Sequence, residues 1–181
     1  MVSEGCLDQG SSGRCSGAGA VTSGTMLSWL FGPVFREFPG IKIALSEGGI
    51  GWMPYNLERA AQIVDRRGAL MARGEEPAGR GVTYDETKSL DLSGFDVYST
   101  FREHVYGCFI DDLHGVASIR DIGIDNVMIE TDYPHSDSTW PNSPQVAMQQ
   151  LGHLPHEDII KITRGNAERL FNFTPSALGS R

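Results

Sequence analysis

Three observations predict an α/β fold with a parallel sheet. The chain carries three short apolar runs, Ile41–Leu45, His104–Phe109 and Asn126–Ile129, each the length of a strand rather than a helix. Segments of helical period precede, separate and follow them, so the order reads α-β-α-β-α-β-α. Strands that alternate with helices form parallel βαβ units, because the crossover returns each strand in the same direction.

Each element has its own justification. Residues Met1–Gly24 are rich in Gly and Ser without a hydrophobic period, which predicts a disordered leader over 1–24. Leu27, Leu30, Phe31, Val34, Phe35 and Phe38 then form one continuous apolar stripe at helical spacing, closed by Pro39-Gly40. The first strand follows, its unbroken apolar run suited to burial on both faces. After the turn Gly48-Gly49-Ile50-Gly51, a helix is expected from Pro54 to Arg67, with Leu57, Ala60, Ala61 and Val64 as its stripe.

From Gly68 to Ser93 the chain is polar and aperiodic, the mark of a functional or mobile excursion over 68–93. The second strand leads to a helix over Asp111–Ile122, with Leu113, Val116 and Ala117 facing inward. The third strand ends at Glu130-Thr131-Asp132. Helical stretches follow near Pro144–Leu151, Glu157–Thr163 and Asn166–Phe171, so the folded unit is expected over 25–173, with a tail at 174–181.

Composition narrows the function. A formal net charge of −8 disfavours nucleic acid and acidic membrane surfaces. No apolar run reaches the length of a membrane span, and no secretory signal is visible. The three cysteines, Cys6, Cys15 and Cys108, make no disulfide framework; reduced thiols in a cytoplasmic protein are the expectation, with Cys108 a small buried apolar residue.

Two clusters could carry chemistry, and both sit at C-terminal strand ends, where α/β folds bind ligands. In Glu130-Thr131-Asp132-Tyr133-Pro134-His135, strand alternation puts Met128, Glu130 and Asp132 on one face. A carboxylate there can ligate a divalent metal or act as a general base, or simply cap a turn and pair with a basic neighbour. In Ser46-Glu47-Gly48-Gly49-Ile50-Gly51, successive glycines let backbone N–H groups approach an anionic ligand, with Glu47 in reach of substrate; a tight turn explains the glycines equally well. His135 alone among the five histidines is placed at the rim of a site. His153 and His156 flank a proline and read as a surface turn. Trp140 could line a pocket or pack on the surface.

Four stretches resemble the amidohydrolase-2 family, in the branch related to aminocarboxymuconate-semialdehyde decarboxylase. They are Phe31-Gly32-Pro33-Val34-Phe35-Arg36-Glu37-Phe38-Pro39, Leu45-Ser46-Glu47-Gly48-Gly49-Ile50-Gly51-Trp52, Asn126 through His135, and Gly165-Asn166-Ala167-Glu168-Arg169-Leu170-Phe171. The resemblance implies a (β/α)8 TIM-type barrel, represented by about its last three βα units and C-terminal helices. It implies that Asp132 ligates a divalent metal, Zn²⁺ in the first place, and assists proton transfer. Glu47 stands where the decarboxylases usually carry a histidine, a departure that leaves hydrolysis open. The family's H-x-H after strand one and its histidine after strand five have no counterpart in these residues.

A complete barrel takes roughly 250 residues, and this chain has 181, so it is expected to be a fragment of that architecture. The implied activity is a metal-dependent hydrolase or non-oxidative decarboxylase acting on a small carboxylate-bearing or cyclic compound. Asp132, Glu47 and His135 would be its catalytic residues, with Gly48, Gly49 and Trp140 binding substrate. With one ligand assigned, Asp132, stoichiometric metal is not expected in this chain by itself. The alternatives are an inactive remnant or partner subunit of a split barrel, and a small-molecule binding module. Open strand edges predict self-association or pairing with a missing N-terminal barrel segment.

Overall fold

The computed structural model describes residues 18–73 and 94–174. The first helix, α1 (Ala18–Phe31), is followed by a short α2 (Val34–Glu37), strand β1 (Ile43–Leu45) and the long α3 (Met53–Ala72). Then come α4 (Val97–His104), β2 (Val105–Phe109), α5 (Leu113–Ala117), α6 (Ile119–Ile122) and a 3-10 turn at Ile124–Asn126. Strand β3 (Val127–Ile129) leads to α7 (Ser143–Leu151), α8 (His156–Ile160), a π-helical turn at Lys161–Gly165 and α9 (Asn166–Phe171).

The strands form a parallel sheet in the order β1-β2-β3. Leu45, the last residue of β1, pairs with Gly107 in the middle of β2, and Gly107 pairs in turn with Val127, the first residue of β3. Each strand is therefore displaced along its neighbour in the same sense. Alternation divides the side chains between two faces. Leu45, Val105, Phe109 and Val127 join the main core with Met26, Leu30, Phe35, Met53, Leu57 and Phe101 from the helices. Tyr106, Cys108 and Met128 point the other way and meet Ala44, Ala167 and Leu170. Burial, and secondarily the Glu130 charge, push the Cys108 thiol up to about 12, so it stays protonated.

Several boundaries differ from expectation. Helix α1 begins at Ala18, so residues 18–24 are helical rather than disordered; residues 1–17 lie outside the described ones. The first turns of α1 pack by smallness: a Cβ on Gly48 would come within 2.7 Å of Thr22, and one on Gly19 within 3.4 Å of Trp52. Such packing leaves no hydrophobic period to read. The expected continuous stripe breaks at Gly32-Pro33, and Phe38 is exposed, while Met26 is fully buried. Helix α3 runs on through Gly68 to Ala72, shortening the expected excursion; residues 74–93 lie outside the described ones, as do 175–181 of the tail.

Helix α4 was not expected. Asp96 caps it, accepting from the Ser99 amide at 3.0 Å, and Val97, Phe101 and His104 are its buried positions. It runs straight into β2 without a loop. The helix expected over 111–122 is two short ones, and Leu113 and Ala117 are exposed rather than inward. Asp112 starts α5 by accepting from Gly115, and this places Val116, not Leu113, against the core.

At the N-terminal end of the sheet one arrangement recurs. His104, just before β2, places Nδ1 2.8 Å from the Ile41 carbonyl, ahead of β1. Asn126, just before β3, donates to the carbonyls of Arg102 (2.8 Å) and Val105 (2.9 Å). Asn166, at the start of α9, donates to Ile124 (2.8 Å) and Val127 (2.7 Å). All three side chains are buried, and each satisfies carbonyls that strand pairing leaves open.

Candidate active site

The C-terminal end of the sheet gathers the opposite kind of residue. Glu47 leaves β1 with φ 59°, and Asp132 follows β3 with φ 54°. Left-handed backbone is uncommon for any non-glycine residue; aspartate tolerates it better than glutamate, because its short side chain can bond locally. Both turns aim a carboxylate across the end of the sheet. Glu47, Asp132 and His135 each offer a ligand atom, and these atoms lie within 4.8 Å of one another. The three residues assigned catalytic roles are thus brought together, from strand ends that are not adjacent in the sheet.

Asp132 is largely covered and His135 is exposed, with side chains 15 % and 63 % accessible. His135 Nδ1 stands 2.7 Å from Asp132 Oδ2, and that hydrogen bond, then the charge of Asp132, raises the histidine pKa. Glu130 turns inward and is half-buried. Its carboxylate accepts from the Glu47 backbone amide at 2.6 Å, with the Ser46 hydroxyl close enough to oppose a rise in its pKa. Burial nevertheless raises its pKa, with the charges of Glu47 and Asp132 adding to the effect. No basic neighbour pairs with it among these contacts; a backbone amide takes that place.

The glycine turn behaves differently from expectation. Its amides at Ile50 and Gly51 donate to Asp112 Oδ2 at 2.7 and 2.8 Å, so the anion they hold belongs to the protein. Gly48 is buried against Thr22, and its carbonyl accepts from the Trp52 indole. Gly49 lies against the Asp112 carboxylate. Trp140 is exposed and meets Tyr133 edge-on at 5.4 Å. Its loop is tied back to Thr131 by Ser138 Oγ at 2.7 Å, which keeps the aromatic pair beside Asp132. Sequence reasoning missed Asp112; the signal for it was its cap position three residues before Gly115.

Three donors in mutual reach suit a divalent ion. Three ligands at about 2.2 Å from one ion stand roughly 3–4 Å from one another, so the side chains would have to draw together from their present separations to share one ion. Two carboxylates and an imidazole are a donor set that would suit a divalent ion. A proton on His135 and an ion at the same place compete. A separate cavity of about 470 Å³ opens at the other end of the sheet, lined by Lys42, Arg102, Glu103, Tyr106, Asp125 and Arg169. Lys42 there bonds the Glu103 carbonyl and Arg169 that of Asp125, so these cations already have partners.

The amidohydrolase family model matches residues 15–173, and the chain belongs to that family. No curated protein gives a match. An amidohydrolase from Mycobacterium avium subsp. paratuberculosis K-10 superposes with a TM-score of 0.55 and 23% identity, over 81% of this chain and 32% of its own. A dihydroxybenzoic acid decarboxylase from Polaromonas sp. JS666, with bound manganese and the inhibitor 2-nitroresorcinol, gives 0.56 and 21%, over 85% and 40%. The chain therefore spans less than half the length of either structure. Among the described residues no helix is long and apolar enough to cross a membrane.

Proposed function

We propose that this chain supplies the Glu47–Asp132–His135 part of a metal-dependent hydrolase or decarboxylase acting on a small carboxylate-bearing or cyclic compound. The observation that carries the reading is the convergence of three ligand atoms within 4.8 Å at the C-terminal end of a parallel sheet. The sequential strand order and uniform stagger support a segment of a (β/α)8 barrel, since closing a barrel requires that stagger. Glu47 and Asp132 would hold the ion, with neutral His135 as third donor. A divalent ion so held polarises a substrate oxygen or lowers the pKa of water. Without the ion, His135 Nδ1 shares a proton with Asp132 Oδ2, and that proton would leave when the ion takes the imidazole as a ligand. Tyr133 and Trp140 offer apolar surface beside the carboxylates to a ring-bearing substrate.

Manganese titration of the full chain, followed by loss of the free-ion EPR signal, tests this. The single ligand assigned from the sequence predicts no stoichiometric metal; with three donors brought together, one Mn²⁺ per chain is expected instead, abolished by Asp132→Asn and weakened by Glu47→Gln. No binding by the wild-type chain would refute the reading. A screen of lactones and hydroxylated benzoates then separates hydrolysis from decarboxylation. The outer sides of β1 and β3, unpaired among the described residues, favour a second reading in which further strands must be added before turnover appears. Metal binding without turnover would support it.

A further inference from the structure

Among the described residues, Asp112 is the most heavily used carboxylate outside the proposed site. Oδ2 accepts from Ile50 (2.7 Å) and Gly51 (2.8 Å), and Oδ1 accepts from Gly115 (2.7 Å). Its own amide donates to Gln150 Oε1 at 2.8 Å, and Gln150 is a buried side chain whose amide reaches the Ile110 carbonyl. The surrounding glycines make room for this group. A Cβ on Gly49 would stand 3.0 Å from the carboxylate, one on Gly51 3.1 Å, and one on Gly115 2.7 Å. A turn rich in glycine is therefore shaped around an internal anion, which replaces an external ligand.

Asp112 holds the far end of a six-residue turn whose near end is held by Glu130, through the Glu47 amide. Between these two anchors lies Glu47, in left-handed backbone that a free chain would leave. We infer that Asp112 is a positioning residue: with Glu130 it clamps the turn and keeps the Glu47 carboxylate beside Asp132 and His135. The inference rests on the proposed metal reading for its consequence, but not for its geometry.

The experiment compares wild type, Asp112→Ala and Asp112→Asn as full-length ¹⁵N-labelled chains, with Asn126→Ala as an equally disruptive variant at the other end of the sheet. In both Asp112 variants the amides of Ile50, Gly51 and Glu47 are expected to shift and exchange faster with solvent. Mn²⁺ affinity should fall roughly 10- to 100-fold, as for other groups that orient metal ligands. Formate, a carboxylate small enough for the vacated space, should partly restore both signals in Asp112→Ala but not in Asp112→Asn, whose amide fills the space. Asn126→Ala should lower stability without moving the Glu47 amide or the Mn²⁺ affinity. A Glu47 amide unchanged in folded Asp112 variants overturns the inference. If neither variant folds, wild-type exchange decides: slow exchange at Glu47, Ile50 and Gly51 supports the clamp, and the rate of an open loop refutes it. A wild type that binds no manganese removes the metal reading alone, because the amide signals still judge Asp112.

Discussion

The two ends of the sheet solve opposite problems, one with buried amides and a histidine, the other with clustered carboxylates and a histidine. At the N-terminal end, His104, Asn126 and Asn166 are buried and engage carbonyls in and just before the strands at 2.7–2.9 Å. At the C-terminal end, Glu47 and His135 are exposed, Glu47 and Asp132 sit in left-handed backbone, and Glu130 is buried enough to raise its pKa. One end satisfies polar groups and stabilises the fold. The other keeps carboxylates close together and half-solvated, a costly arrangement unless a cation or substrate meets them. The difference separates residues that hold the chain together from residues that are free for chemistry.

The largest effect that could break this contrast is expected at Asn166. Removing its amide leaves the Ile124 and Val127 carbonyls without that donor in a site of zero accessibility. Asn166→Ala should destabilise by about 2–4 kcal/mol, from two lost bonds and two desolvated acceptors. Urea denaturation reads this directly, and a loss under 1 kcal/mol would mean that the N-terminal end is not the stabilising one.

At the other end the sign should reverse. Glycine adopts the backbone of Glu47, φ 59°, without the steric penalty of a Cβ. After allowing for glycine's greater freedom when unfolded, Glu47→Gly should stabilise the chain by about 0.5–1 kcal/mol. The same variant should lose Mn²⁺ affinity. Thermal unfolding without metal and manganese titration together check the exchange of stability for function. Destabilisation by Glu47→Gly would show that the carboxylate serves the fold after all.

These contrasts also explain what was legible in the sequence. The sheet and the α3 face were, because the strands are short unbroken apolar runs and Leu57, Ala60 and Val64 follow a period of about 3.6. The placement of Asp132, Glu47 and His135 at one end followed from strand ends, which the structure brings together. Asp112 was hidden because its partners at Ile50 and Gly51 are about sixty positions away and are backbone groups, which carry no residue identity. The start of α1 was hidden because glycine and threonine pack closely without an apolar stripe. Helix α4 was hidden by its direct junction with β2, which makes its last buried residue, His104, look like the first of the strand.

A smaller effect sharpens the comparison by adding a carboxylate with no part in the site. Asp96 is exposed and caps α4: its side chain accepts from the Ser99 amide at 3.0 Å and from the Ser99 hydroxyl at 2.8 Å. The amide bond, then the hydroxyl bond, lower its pKa below the ordinary value of 3.8. A group depressed in the folded state contributes stability that is full above its unfolded pKa and is lost as pH falls through the folded one. Asp96→Ala should therefore cost about 1 kcal/mol at neutral pH, and less as the pH drops below 4. Asp96→Asn should keep most of the cap while removing its titration. Urea midpoints measured at pH 7 and at successively lower pH distinguish these. An Asp96→Ala loss that stays constant down to the lowest pH would show that the uncharged carboxyl caps as well as the carboxylate, leaving the hydrogen bonds rather than the charge as the stabilising agent.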